Sequence, residues 1–152
     1  MSPTYGQPRD PMDDLAVPVI VKFGGGMAML TGAFTLGLAV QTSLMFRMSG
    51  KIPLVLAMMV LAGVGLVVTG WGTSKGSLRS AVGAAGASGL TALLGMAWAI
   101  TGFLSGVISP LSFGVVFFAT GAAVLAGIAI GPARKVTAAR DHLRSQGYDF
   151  GL

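Results

Sequence analysis

Residues 81–131 read AVGAAGASGLTALLGMAWAITGFLSGVISPLSFGVVFFATGAAVLAGIAIG, 51 positions without one Asp, Glu, Lys, Arg or His. About 20 apolar residues cross a hydrocarbon core roughly 30 Å thick, so this stretch is too long for one spanning helix and long enough for two. The polar turn around Ser109-Pro110 divides it into spans at 81–105 and 111–131. Working upstream, two shorter apolar runs supply another pair, at 27–46 and 52–71. They are separated by Arg47-Met48-Ser49-Gly50-Lys51, with Pro53 in the first turn of the second. A proline there costs little, because the first turn of a helix has no use for its N–H. The expectation is an all-α integral membrane protein: a four-helix bundle of two helical hairpins, followed by a short amphipathic C-terminal helix.

Composition points the same way. Charged residues make up 10% of the 152-residue chain against 53% hydrophobic residues, and the mean hydropathy is +0.80. Soluble domains carry charge on about a quarter of their residues. Glu, Asn and Cys are all missing, which removes disulfides and thiolate chemistry from consideration. The net charge of +5 is not gathered on a soluble basic stripe, so nucleic acid is not an expected partner.

The basic residues stand at the ends of the apolar runs instead. With four spans, Arg9, Lys22, Lys75, Arg79, Arg134, Lys135, Arg140 and Arg144 share one side of the membrane, and Arg47 and Lys51 the other. Cytoplasmic loops are enriched in Lys and Arg, so both termini are expected in the cytoplasm, in a bacterial inner membrane or its organellar equivalent. Trp71 suits the interfacial belt at the end of the second span.

Residues 1–14, with three prolines and three aspartates, are expected as a flexible tail. Residues 15–23 (LAVPVIVKF) contain Pro18 and Lys22 and are expected to lie in the interface, Lys22 reaching headgroups, with Gly24-Gly25-Gly26 as a hinge. Pro132 is expected to stop the fourth span. Residues 132–152 then form a basic cytoplasmic tail, within which Val136, Ala139 and Leu143 mark one stripe of a short helix ended by Gly147. Arg134, Lys135, Arg140 and Arg144 would carry that helix onto an anionic leaflet.

Small residues are the most informative feature inside the spans. Ala119, Ala123, Gly127 and Gly131 recur at a spacing of four in the fourth span. Gly102 and Gly106 form a GxxxG in the third, alongside Thr91, Gly95 and Ala99, and Ala28/Gly32 and Ala33/Gly37 do the same in the first. Such ladders let helix backbones approach closely where lipid offers no hydrophobic drive to association. They are read as packing faces, within the bundle or toward partner subunits or other copies. Thr-Gly pairs occur in every span, at Thr31, Thr69, Thr101 and Thr120, and are read as packing features too.

Reactive constellations are missing from this reading. Ion-coupled carriers keep ionisable groups inside the membrane, and none falls in the four spans. Gln41, with Thr42 and Ser43, is the one amide-bearing spot that a polar path would use. His142 is the sole histidine and lies in the tail, so no haem or metal is expected. The five aspartates are all in the tails, so no catalytic residue is assigned and no cofactor is expected. The function expected is a non-catalytic accessory or scaffolding subunit, or a homo-oligomer. The alternative is a passive pore or carrier for a small or apolar solute.

Overall fold

The carbonyl of Pro18 accepts the amide hydrogens of Val21 (3.0 Å) and Lys22 (3.3 Å), and from there the chain winds without a break to Phe46. In the computed structural model, residues 16–46, 54–104 and 110–147 are described. They form four helices: α1 (Val19–Phe46), α2 (Leu54–Ser74), α3 (Leu78–Leu104) and α4 (Pro110–Ser145). Each contains a segment long and apolar enough to cross a membrane, and the described residues contain no strand. Helices satisfy their backbone polar groups internally, which is what hydrocarbon requires of a spanning chain. The expected tail at 1–14, the loop around Arg47 and Lys51, and the return before Pro110 lie outside the described residues.

Two expected boundaries are corrected. Residues 19–23 are not a separate interfacial segment, and Gly24-Gly25-Gly26 is not a hinge, because all of them belong to α1. The glycines stay helical because two of them meet neighbouring backbones. A Cβ built on Gly24 would lie 3.1 Å from the Leu125 carbonyl oxygen of α4, and one on Gly25 would lie 2.5 Å from that of Gly70 in α2. Pro132 does not stop α4 either, which runs 36 residues, about 54 Å at 1.5 Å per residue. Its ring removes one helical hydrogen bond, to the Ile128 carbonyl. Ala129, Ala133 and Val136 nevertheless continue one buried stripe across it, and that packing holds the helix together.

The helices follow one another around the bundle, each antiparallel to the next, with α4 closing on α1. Between α1 and α2 the register is set by glycine against glycine: Gly25 meets Gly70, and Gly32 meets Gly63. Between α1 and α4, Thr31 Oγ1 donates to its own-helix Met27 carbonyl (2.8 Å) and reaches the Phe118 carbonyl (3.2 Å). One turn on, the Phe34 and Phe118 rings stack at 5.1 Å. Ala28, Ala84 and Ala126 bring α1, α3 and α4 together at the centre.

Small side chains fill the interior and large ones point out. Ala119, Ala122, Ala126, Ala129 and Ala133 are buried in α4, and Ala81, Ala84, Ser88 and Thr91 in α3. Steps of three and four alternate in both, the 3.5-residue repeat that gives left-handed packing near +20°. Phe23, Leu30, Leu61, Leu93, Phe103 and Phe117 are exposed. A soluble protein hides such residues, whereas lipid tails are as apolar as leucine and let them face outward. This is the architecture of a membrane protein.

The turn between α2 and α3 is closely specified. Gly76 adopts φ +82° and donates its N–H to the Thr73 carbonyl (2.8 Å), while Ser77 N–H reaches the Gly72 carbonyl (3.1 Å). This pair of bonds is a Schellman ending. Ser77 then caps α3, its hydroxyl accepting the Ser80 N–H at 3.4 Å.

Candidate functional site

The small residues singled out in the sequence divide into two groups. Gly32 is buried on the Gly63 carbonyl, Gly95 lies against Val116, and Ala119 is fully buried. Gly37, Gly127 and Gly131 are exposed, and a Cβ on any of them would meet nothing within 4 Å. Ala123 sits between these extremes; Gly106 and the surroundings of Gly102 lie outside the description. The strict four-residue ladder of α4 is therefore not its buried stripe. Four residues advance a helix by 400°, so each step turns the next small residue about 40° further around the helix. By Gly127 and Gly131 the ladder has left the bundle and faces out.

The intramolecular glycine contact uses a different spacing. Gly25 and Gly32 are seven apart, as are Gly63 and Gly70, and each pair stays on one face because seven residues are nearly two turns. Sequence reading missed Gly25 and Gly63 as packing residues and reached Gly70 only through the Thr69-Gly70 pair; a search for small residues seven apart in successive spans would have found all three.

Of the three residues expected to line a polar path, Gln41 and Ser43 have described side chains. Gln41 is exposed, Ser43 Oγ donates to the Val40 carbonyl (2.7 Å), and the side chain of Thr42 lies outside the description. An apolar cavity of about 400 Å³ lies between α2 and α3. Its floor is buried: Thr35 and Thr91 are 3% and 5% exposed and Val115 7%. Its rim is not, Met58 and Trp98 each being 45% exposed. The cavity therefore opens sideways, on the surface that faces lipid. Both floor hydroxyls already donate within their own helices, Thr35 to the Thr31 carbonyl and Thr91 to that of Ala87, each at 2.8 Å.

Its position follows from how α2 and α3 diverge. Near their turn they touch closely, Gly72 against Ser80 and Gly83 against Thr69. Ala62, on the cavity wall, is ten residues from Gly72, and Trp98, on the rim, is eighteen from Ser80. At 1.5 Å per residue the cavity begins about 15 Å from the level of the Gly72–Ser80 contact and reaches about 27 Å from it.

At the opposite end of the bundle lie the described basic residues. Lys22, Lys75, Arg79, Arg134, Lys135 and Arg144 are all exposed, and the Lys75 Nζ sits 4.0 Å over the Trp71 ring. Arg140 is not a free headgroup ligand. Its guanidinium donates to the Lys75 carbonyl (2.9 Å), a position the α2 helix leaves without a backbone partner. Beside it Thr137 reaches the Gly76 carbonyl (3.5 Å), and Val136 packs with Val17 around Gly76. The last turns of α4 are thus docked under the α2–α3 turn, in line with the helix axis.

The chain matches no protein-family model, no curated protein and no solved structure.

Proposed function

We propose that this chain is a non-catalytic subunit of a membrane assembly, joining other membrane proteins or further copies of itself through small-residue faces on α1 and α4. One observation carries the reading: the bundle packs through Gly25, Gly32, Gly63, Gly70 and the alanine stripe of α4, and leaves Gly37, Gly127 and Gly131 open. Glycine within a spanning helix gives up lipid contact, and close approach of another helix restores it. Gly127 and Gly131 form a GxxxG on the outside of a helix that does not need it for its own fold. The test is native mass spectrometry of the protein extracted gently from its own membrane. A stoichiometric complex is expected, lost in the double variant Gly127→Leu/Gly131→Leu while the monomer stays helical. A clean monomer across mild detergents, with no co-purifying partner, sinks the reading.

On this reading the membrane is a bacterial inner (cytoplasmic) membrane, with both termini cytoplasmic. The gathering of Lys22, Lys75, Arg79, Arg134 and Lys135 at one end of the bundle supports this orientation. Those lysines and arginines then meet anionic headgroups.

The cavity favours a second reading, a carrier for an apolar solute. Among the described residues its walls carry no charge, which favours an apolar cargo over an ion. Facilitated flux of an apolar dye into liposomes containing this protein alone is expected on that reading, and flux no faster than in empty liposomes removes it.

A further inference from the structure

We propose that the cavity between α2 and α3 is a binding site for one acyl chain of a membrane lipid, which enters sideways from the leaflet away from the basic end. The inference stands apart from both functional readings, since a subunit and a carrier would each present the same cleft to lipid.

Neither water nor a void suits the space. A stable buried water needs two to four polar partners. Among the described residues the side-chain polar groups on the floor are the Thr35 and Thr91 hydroxyls, whose hydrogens are already donated to the Thr31 and Ala87 carbonyls. Water in the cavity would therefore find acceptors and no matching donors among them. An empty void is no better, because the lining atoms would lose dispersion contacts on one side. The volume, about 400 Å³, falls in the usual range of small-molecule sites, roughly 300–1,000 Å³.

What remains is hydrocarbon, and the geometry selects its form and route. The rim residues Met58, Leu94 and Trp98 are exposed on the apolar surface, so the mouth opens directly into acyl chains. Methionines Met58 and Met59 form one wall, and unbranched thioether side chains adapt readily to a flexible guest. The cavity lies about 15–27 Å from the Gly72–Ser80 contact, which places it in the half of a roughly 30 Å core remote from the basic end. An acyl chain anchored at the far interface hangs through that half with its methyl end toward the midplane.

The experiment reconstitutes the full chain in vesicles of phosphatidylethanolamine and phosphatidylglycerol doped with a phospholipid carrying a diazirine at the end of one acyl chain. After photolysis the adducts are mapped by peptide mass spectrometry. Enrichment on Met58, Met59 and Leu94 is expected, above Leu61, Leu93 and Phe117, which are more exposed to bulk lipid. Ala62→Phe, which fills the cavity from its wall, should abolish the enrichment while leaving the outer adducts in place. Ala57→Phe, on an exposed face of α2 outside the cavity, should leave both unchanged. Adducts distributed by exposure alone in the wild-type chain overturn the proposal without reference to any variant. So does their absence from the cavity, whether the cleft closes in the bilayer or another protein's helix fills it.

Discussion

A methyl group added at Gly32 would stand 2.6 Å from the Gly63 carbonyl oxygen, and one at Gly25 would stand 2.5 Å from that of Gly70. Both obstacles are backbone, which cannot swing aside as a side chain can. Gly25→Ala and Gly32→Ala should therefore each destabilise the bundle by about 1–3 kcal/mol, the usual cost of overpacking. Gly37→Ala and Gly127→Ala meet open space and should change monomer stability by no more than about 0.5 kcal/mol, as surface substitutions do. Reversible unfolding in mixed micelles, followed by circular dichroism, separates the two groups. Equal effects at Gly32 and Gly127 would mean that the α1–α2 contact is looser than described.

At the scale of the element, α4 is the helix that does most to organise the molecule. It packs on both α1 and α3 and then continues past Pro132 to cover the α2–α3 turn. Three contacts dock it there: Val136 around Gly76, Thr137 on the Gly76 carbonyl and Arg140 on the Lys75 carbonyl. Hydrogen bonds to charged groups contribute about 1.5–3 kcal/mol when well shielded and less when exposed, as this one is. Arg140→Ala should loosen only this junction, speeding hydrogen exchange at Lys75–Ser77 and tryptic cleavage after Arg134 and Lys135. The spanning part of the bundle should keep its protection. Gly76→Ala strains the same junction differently, because φ +82° is left-handed and costs a non-glycine residue about 1–2 kcal/mol. Its slowest-exchanging amides should remain those of α1 and α4.

For the whole molecule, the order of helices around the bundle is open to direct measurement, since the chain contains no cysteine of its own. Met27 and Gly121 face each other across α1 and α4, the Met27 Cε lying 3.9 Å from a Cβ built on Gly121. The pair Met27→Cys/Gly121→Cys should cross-link within one chain with a short bifunctional reagent. Leu61→Cys/Val124→Cys, on outward faces of the opposed helices α2 and α4, should not. Any product from that second pair should disappear on dilution, as a contact between copies would. Orientation follows by a similar route. A Ser145→Cys variant should resist a membrane-impermeant maleimide in intact cells and react after lysis, and labelling before lysis would reverse the assigned topology.

The four apolar runs, their helical state and the gathering of charge at one set of ends were legible in the residues alone. The reason is general: hydrocarbon forces the backbone to satisfy itself within each span, and charged groups must stay outside, whatever the neighbours are. Those constraints depend on composition and length, which any single run carries with it. The interior face of each helix was not legible, because small residues surround α1 and α4 on several sides and both four- and seven-residue spacings were available. Contact between α1 and α2 selected the seven-residue pairs, Gly25 with Gly32 and Gly63 with Gly70, since only that spacing holds one face along a left-handed crossing. Tertiary packing likewise kept Gly24-Gly25-Gly26 and Pro132 inside helices that their propensities argue against. The cavity belongs wholly to that level, arising where α2 and α3 diverge, a relation between two helices that neither sequence states by itself.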